Sequence, residues 1–189
     1  MARTSDAGMN SRDAMAAVLH DGDRVGLRFE RTFGHSPDKV WRAITEAEHL
    51  AHWMPCDIVG ERTVGATLSM PFWPAVAEKF SITGPAPTGM LLVWNPPRCF
   101  AFSWDTDHVR FDLAPAPAGG TVLTLTTWIG AVEPPPPEVA SGYHLCLAHL
   151  AQVVDTGTAP NVATSDPAPL HDHYLRHWDA LDHRTEPAP

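Results

Sequence analysis

The feature that most constrains this fold is a long helical pattern in residues 137–155, PEVASGYHLCLAHLAQVVD. At about 100° per residue, its main apolar side chains fall within about one third of the helix circumference. These side chains are Val139, Tyr143, Cys146, Leu147, Leu150, Val153 and Val154. The other side carries His144 and Gln152, and we expect it to face solvent. A helix with such a face needs a broad apolar surface to cover it, and the strands before it can supply one.

Composition bounds the size and the class of the protein. The 189 residues are 44% hydrophobic, which suits one domain with tails. A net charge of −9 argues against nucleic acid or an anionic membrane as the main partner. No apolar run is long enough to insert into a bilayer, and residues 1–23 lack the apolar core of a signal peptide. Three distant cysteines predict free thiols in a reducing compartment, so we expect a cytoplasmic protein.

Short strands and two short helices precede the long helix. Residues 25–33 alternate between apolar and polar side chains, as a half-buried strand does. Ser36 and Pro37 then mark a helix start, and Thr45 with Glu48 matches the capping box of a second short helix. Further strands are predicted at 56–61, 66–72, 88–94, 98–104, 108–113 and 121–128. Their short Gly- and Pro-containing connections favour an antiparallel arrangement.

The two ends of the chain lie outside this pattern. Residues 1–24 are expected to form a disordered tail, and residues 25–156 one domain. Residues 157–189 are predicted to be a linker, a docked helix at 167–181 and a tail. Leu170, Tyr174 and Trp178 have helical spacing in that last helix. Small domains commonly form homodimers, and this helix offers a face for one.

Several ordered motifs resemble one known family. They are FERTFGHSPDKVWRAITEAEHLAHWM, WNPPRCFAFSW and VRFDLAPAPAGGTVLTLTT, followed by Ser141-Gly142-Tyr143 at the start of the long helix. They look like the family related to the C-terminal domain of the activator of heat-shock-protein-90 ATPase, in the SRPBCC/START-like superfamily. The resemblance covers about residues 25–155. Tyr143 departs from it, because that family usually has Trp at this position.

The resemblance implies an α+β helix-grip fold of the START/birch-pollen-allergen-like kind. A curved antiparallel sheet of six or seven strands would surround the long C-terminal helix, with two short helices after the first strand. Members of the superfamily hold hydrophobic small molecules between sheet and helix, so we expect such a ligand and no cofactor. The large side chains expected to line the pocket are Trp53, Met54, Phe72, Trp73, Met90, Phe102, Trp104, Phe111, Trp128, Tyr143 and Leu147.

Two other classes of function stay open. The first is a cyclase or hydrolase acting in the same cavity, which needs a titratable residue there. The sequence candidates are His108, Arg110, Tyr143 and Glu78. The second is a co-chaperone-like protein-interaction module, as the family name suggests. An entirely apolar cavity would weigh against the enzyme.

The chain is rich in histidine, with 11 residues, but metal-site spacing is weak. His173 and His177 lie one helical turn apart, close to His171, without a third ligand at a fixed offset. His49 and His52 form a similar weak pair. We therefore predict no metal site, and a solvated position for His144 and His149.

No catalytic motif emerges from the polar residues. Glu46 and Glu48 are interpreted as helix caps, and Asp105 and Asp107 as residues of a hairpin turn. No phosphate-binding glycine loop and no G-x-S-x-G nucleophile elbow occurs. Cys146, on the apolar face of the long helix, is interpreted as an inert buried thiol.

Overall fold

The computed structural model describes residues 14–130, 135–183 and 186–187. In chain order the elements are β1 Ala17–Asp21, β2 Arg24–Phe33, α1 Pro37–Thr45, α2 Ala47–Trp53, β3 Thr67–Ser69, α3 Pro74–Lys79, β4 Thr88–Asn95, β5 Cys99–Trp104, β6 Asp107–Pro115, β7 Thr121–Trp128, α4 Pro136–Thr156, a 3₁₀ turn Val162–Thr164, α5 Ala168–Asp182 and β8 Glu186–Pro187.

The sheet has the strand order β3-β4-β5-β6-β7-β2-β1-β8. The first seven strands pair antiparallel, and the two-residue β8 adds a short parallel pairing to β1. Strands and helices therefore form the predicted α+β architecture, with α4 packed against the curved sheet. No helix among the described residues is long and apolar enough to cross a membrane.

Strand alternation decides which side of the sheet is buried. In β7, Thr121, Leu123, Leu125 and Thr127 are fully buried, while the residues between them are partly exposed. The turn before β7 needs a close approach, because a Cβ on Gly120 would lie 2.1 Å from the carbonyl oxygen of Phe33. Gly120 also has a φ of 89°, which glycine adopts without strain. This turn fixes the start of β7 beside the end of β2.

The helix ends follow the signals of the sequence in part. The Ser36 side chain accepts a hydrogen bond from the backbone N–H of Lys39, as predicted for the start of α1. The capping box predicted for α2 is wrong. Glu46 is the N-cap of α2 and makes no side-chain cap bond, while the Thr45 hydroxyl donates to the carbonyl oxygen of Trp41 at 2.8 Å within α1. Helix α4 ends at Gly157, whose φ of 83° closes the last turn.

The part of the expected N-terminal tail that the structure describes is ordered from the first strand on. β1 pairs with β2 through a two-residue turn at Gly22 and Asp23, and Val18 and Leu19 are buried. Burial of this apolar pair explains why Ala17–Asp21 forms a strand where a disordered tail was expected. Residues 1–13 of the expected tail lie outside the described residues.

Residues 56–79 also differ from the prediction. The expected strand 56–61 is reduced to two isolated backbone pairings, Cys56 with Phe72 and Val59 with Ser69. The expected strand 66–72 is only Thr67–Ser69, and the short helix α3 follows at Pro74. Pro71 and Pro74 supply no backbone N–H, so pairing in this stretch is interrupted and no continuous ladder forms.

The predicted C-terminal helix exists as α5 and packs on α4 and β1. Tyr174 is its buried anchor, with no exposed surface. Its hydroxyl accepts a hydrogen bond from the backbone N–H of Ala16 and lies 3.0 Å from Nδ1 of His144. Burial raises the pKa of Tyr174 to about 12, so its hydroxyl stays protonated at neutral pH. The elements on both sides of 25–156 thus contribute to the core.

Candidate ligand-binding site

A cavity of about 330 Å³ lies between the first half of α4 and the turn that joins β5 to β6. Its lining is mainly apolar. The lining residues are Pro55, Pro87, Trp104, Asp105, Thr106, Asp107, Ile129, Val139, Gly142, Tyr143 and Cys146. The cavity borders the long helix, and its other walls come from loops, a turn and strand ends rather than from the inner face of the sheet.

The β5–β6 turn brings the carboxylates to the cavity. Trp104 pairs with Asp107, so the turn consists of Asp105 and Thr106, and Asp105 has a φ of 53°. Aspartate tolerates this left-handed conformation better than most residues. The backbone N–H of Asp105 donates to the carbonyl oxygen of Thr88 at 2.9 Å. The turn is therefore tied to β4, and the predicted turn position is confirmed for Asp105, whereas Asp107 is the first residue of β6.

Residue 130 anchors the same turn from the other side. The backbone N–H of Gly130 donates to Oδ1 of Asp107 at 2.8 Å. A Cβ on Gly130 would lie 2.1 Å from the carbonyl oxygen of Thr106, so only glycine fits this contact. The two contacts hold the Asp107 carboxylate in one place at the cavity wall.

Helix α4 supplies the opposite wall through residues three and four apart. Val139, Gly142, Tyr143 and Cys146 share one face of the helix and line the cavity. A Cβ on Gly142 would meet no atom within 4 Å. The absence of a side chain at Gly142 therefore leaves open space at the cavity wall.

Tyr143 places a phenol at the inner end of the site. Its side chain is only half-buried, because the ring borders the cavity, but its hydroxyl lies deep. Burial raises the pKa of Tyr143 well above its usual range, with a smaller contribution from Asp107, so the phenol is neutral. The Thr127 hydroxyl interacts with this phenol and opposes the rise in pKa. Thr127 Oγ1 nevertheless lacks a hydrogen bond of regular geometry within the described part of the chain.

Burial also favours the neutral forms of Asp107 and Cys146. Burial raises the pKa of Asp107, and the negative charge of Asp105 adds to this rise. The N–H of Gly130 and the charge of His108 oppose it. Burial also raises the pKa of Cys146 to about 12, which supports the interpretation of an inert thiol. Cys56 lies close enough for Cys146 to raise its pKa further.

Two of the eleven predicted pocket residues, Trp104 and Tyr143, line this cavity. Five others are packed into the core with at most 1% exposure: Trp53, Met54, Phe102, Phe111 and Leu147. Phe111, for example, lies 6.2 Å between ring centroids from both Trp53 and Phe100. These side chains belong to the buried core cluster and do not line the cavity.

The other four predicted pocket residues lie around the site or away from it. Phe72 contacts the Trp104 ring from behind, with centroids 6.3 Å apart, and Trp73 Nε1 donates to the carbonyl oxygen of Met54. Met90 is exposed, and Trp128 lies on the outer face of β7 under the guanidinium of Arg24. The alternation of side chains along a strand separates the two faces of the sheet but does not show which face is buried.

Of the candidate catalytic residues, the structure brings only Tyr143 to the cavity. His108 and Arg110 point to the outer face of β6, where Arg110 forms an ion pair with Asp112 at 2.6 Å. Glu78 is exposed on α3. The cavity residues that the pocket prediction missed include Asp107 and Gly142. An aspartate at the start of a strand and a glycine carry no hydrophobic signal, so the search for large side chains passed over both.

The histidines of α4 are a correction to the sequence prediction. His144 and His149 are buried, with 7% and 5% exposure. His149 donates from Nδ1 to the carbonyl oxygen of Pro160 and accepts at Nε2 from the Ser165 hydroxyl, both at 2.8 Å. The linker and α5 cover this side of α4, which explains its burial.

The histidines of α5 and α2 are engaged in ordinary contacts. His177 Nδ1 donates to the carbonyl oxygen of His173 at 2.8 Å. In the part of the chain that the structure describes, the one cluster with metal-like geometry is Glu46, Glu48 and His49. His49 Nε2 lies 3.6 Å from a Glu46 carboxylate oxygen, which is an ion-pair distance at a partly exposed site. Such clusters are common at surfaces without a metal.

Sequence comparison identifies one matching family. The sequence profile of the family described as "Activator of Hsp90 ATPase homolog 1-like protein" matches residues 34–155. Among curated proteins, none matches the chain at a significant level.

Solved structures share the fold. A conserved protein of unknown function from Enterococcus faecalis, EF2215, has a TM-score of 0.71 and 23% identity, over 88% of this chain and 91% of that chain. CalU16 from Micromonospora echinospora has a TM-score of 0.64 and 18% identity, over 89% and 97%. The solution structure of the Aha1 dimer from Colwellia psychrerythraea has a TM-score of 0.54 and 18% identity, over 70% and 97%. At these identities the likeness concerns the fold alone.

Proposed function

Since this chain belongs to the family of Activator of Hsp90 ATPase homolog 1-like proteins, we propose that it binds a small, mainly apolar molecule in the cavity beside α4. The observation that carries this proposal is the cavity itself, about 330 Å³ in volume. Sites for small molecules typically have volumes of about 300–1,000 Å³.

The walls suit a flat apolar body with a polar end. Trp104, Ile129 and Val139 supply apolar contact area, and Pro55 and Pro87 add rigid surface. Polar groups are few and lie on the β5–β6 turn and at the Tyr143 hydroxyl. This combination of apolar walls and few polar groups is typical of sites that orient a ligand by one end.

Binding of a neutral fluorescent probe such as N-phenylnaphthylamine tests the proposal. We expect saturable binding to the wild-type protein. Gly142→Leu, which fills the open space at α4, should weaken binding at least about tenfold, or 1.4 kcal/mol. Gly142→Ala is the matched control, because its methyl group takes up much less of the cavity. A folded wild-type protein that shows no saturable binding would contradict the proposal.

A second candidate is an enzyme of the cyclase or hydrolase kind that uses the same cavity. One observation favours it: the cavity is not entirely apolar, because the Asp107 carboxylate and the Tyr143 phenol border it. A carboxyl group with a raised pKa is suited to general acid–base work near neutral pH. Turnover of an aromatic ester or a thioester that Asp107→Asn abolishes would support this candidate. Probe binding without turnover of either substrate would favour simple binding.

Assembly and location are further proposals. The likeness to a dimeric Aha1 structure supports a homodimer of this chain. Leu175, 52% exposed on α5, supplies an apolar contact for it. Sedimentation of wild type and Leu175→Glu tests this contact, and a wild-type monomer at high concentration would contradict it. The three free, buried cysteines favour a reducing, cytoplasmic location, which cell fractionation tests.

A protein-interaction role in the manner of a co-chaperone remains the alternative that the family name suggests. A pull-down with the heat-shock chaperone and the full chain tests it directly. Enrichment of the chaperone would support this role, and its absence would count against it.

A further inference from the structure

The charged residues that line the cavity all have the same sign. Asp105 and Asp107 line one wall, and no Lys, Arg or His does so within the described ranges. Asp105 is exposed, and Asp107 is half-buried beside it. Each charge raises the free energy of the other in an environment that water only partly screens. A carboxylate-bearing ligand would add a third negative charge to this wall.

The structural role of Asp107 accounts for only part of its hydrogen-bonding capacity. Oδ1 accepts from the N–H of Gly130. Among described residues, no side-chain donor is seen on Oδ2, and an ionised carboxylate has acceptor sites on both oxygens. The second oxygen therefore remains for a donor in the cavity.

A second polar feature lies deeper, independent of the carboxylates. Thr127 on the inward face of β7 is fully buried, and its Oγ1 has no regular hydrogen-bond partner in the described structure. It adjoins the Tyr143 phenol, which borders the cavity. A ligand at the inner end of the cavity can therefore form a hydrogen bond with the Tyr143 hydroxyl.

We infer that the cavity selects molecules with an apolar body and a hydrogen-bond-donating, preferably cationic, end such as an amine, and that it excludes carboxylates. This inference rests on the proposed binding function and names the ligand class for the same site. The ammonium or hydroxyl end lies against Asp107 and Asp105, and the apolar body lies along Trp104, Ile129 and Val139. Fatty acids and other anionic amphiphiles are poor ligands on this reasoning.

A matched series of probes tests the charge preference. Naphthylethylamine, naphthylethanol and naphthylacetate share one ring system and differ at the polar end. Titration calorimetry at neutral pH and low salt should rank the amine first, the alcohol second and the carboxylate last. Because the carboxylate would meet two like charges and the ammonium two opposite charges, we expect the amine to bind at least about tenfold more tightly than the carboxylate. Salt should narrow this difference, since it screens exposed charges.

Variants identify the residues responsible. The double variant Asp105→Asn with Asp107→Asn should bring the amine-to-carboxylate affinity ratio close to one, and the Asn side-chain oxygen can still accept from Gly130. Asp38→Asn removes the same charge from α1, which follows the far end of β2, and should leave the ratio unchanged. Thermal unfolding of each variant confirms that it is folded.

Each outcome decides the matter. Equal binding of the three probes, or tighter binding of the carboxylate, overturns the charge preference and leaves the binding proposal intact. An unchanged ratio in the double variant overturns the assignment to these two aspartates. No binding of these probes or of N-phenylnaphthylamine overturns the binding proposal and this inference together.

Discussion

The two halves of α4 carry the same apolar period but have different surroundings. In the first half, Val139, Gly142 and Tyr143 face a cavity that ends in polar groups. In the second half, Leu147, Leu150 and Val154 have no exposed surface and pack into the core. The two halves differ in packing because their side chains differ in size and because different elements lie opposite them. Gly142 leaves open space against a polar turn, whereas the second half meets large side chains.

An amphipathic helix face therefore does not by itself show that the core beside it is fully packed. Burial of the second half is what stabilises the fold, since apolar area removed from water contributes about 25 cal/mol per Å². The first half buries less apolar area and therefore contributes less to stability. The space beside it is the candidate site. Substitutions in the second half of α4 should therefore mainly lower the free energy of unfolding. Substitutions in the first half should mainly change ligand binding.

The largest effect is expected where the aromatic core is most closely packed. The Phe100 ring contacts those of Trp41, Trp94, Phe102 and Phe111, with centroids 5.0–6.4 Å away. Phe100→Ala should lower the free energy of unfolding by about 3–5 kcal/mol, since it leaves a void that its neighbours cannot fill. Denaturant unfolding measures this loss. A loss below 1 kcal/mol would show that this region is as loosely packed as the cavity wall.

The next substitution tests whether the second half of α4 is solid. Leu147 is fully buried and does not line the cavity. Leu147→Trp should therefore overpack the core and lower the free energy of unfolding by about 1–3 kcal/mol. Denaturant unfolding and probe titration are measured on the same samples. A variant that keeps full stability but loses probe binding would mean that the cavity extends to Leu147.

A smaller effect, of opposite sign, is expected at the cavity wall. Gly142 lies within α4, and a Cβ there meets no atom within 4 Å. Gly142→Ala should raise the free energy of unfolding by about 1 kcal/mol, because glycine is that much less favourable than alanine inside a helix. Thermal unfolding checks the sign. A destabilised variant would show that the space at Gly142 is needed by the fold itself.

The smallest expected effect concerns pH. Burial raises the pKa of Asp107, so the folded protein binds its proton more tightly than the unfolded chain. The contribution of Asp107 to stability therefore falls as pH rises from the unfolded pKa, about 3.9, through the raised folded value, and is constant above it. The stability of Asp107→Asn relative to wild type should rise across that window. Urea unfolding from pH 3 to pH 8, about the span needed, measures this difference. A difference that falls with pH would mean that Asp107 is stabilised as a carboxylate.

Patterns that depend on local sequence were predictable. The alternation in Thr121–Trp128 matches β7, and the Ser36 signal matches the start of α1. The long helix Pro136–Thr156 extends one residue beyond the predicted stretch at each end. These elements follow from backbone geometry and from an apolar face, which are both readable in a single sequence.

Features that depend on a second layer of structure were not predictable. The helical period predicted that His144 and His149 lie on the solvent-facing side of α4. In the structure, the segment after α4 and helix α5 cover that side. β1 was missed because its two-residue hairpin turn at Gly22 and Asp23 gave too weak a signal for a strand so close to the start. The pocket residues were chosen for size, and size favours core positions as well as cavity walls.

The two edges of the sheet have a consequence for how copies of this chain can associate. On one edge β3 has three residues, and on the other β8 has two, the last of which is Pro187. An exposed strand recruits another chain through its row of free N–H and C=O groups, and proline supplies no N–H. Among the described residues, the outermost strands β3 and β8 therefore offer a neighbouring molecule few backbone groups, which disfavours growth of the sheet from these two strands.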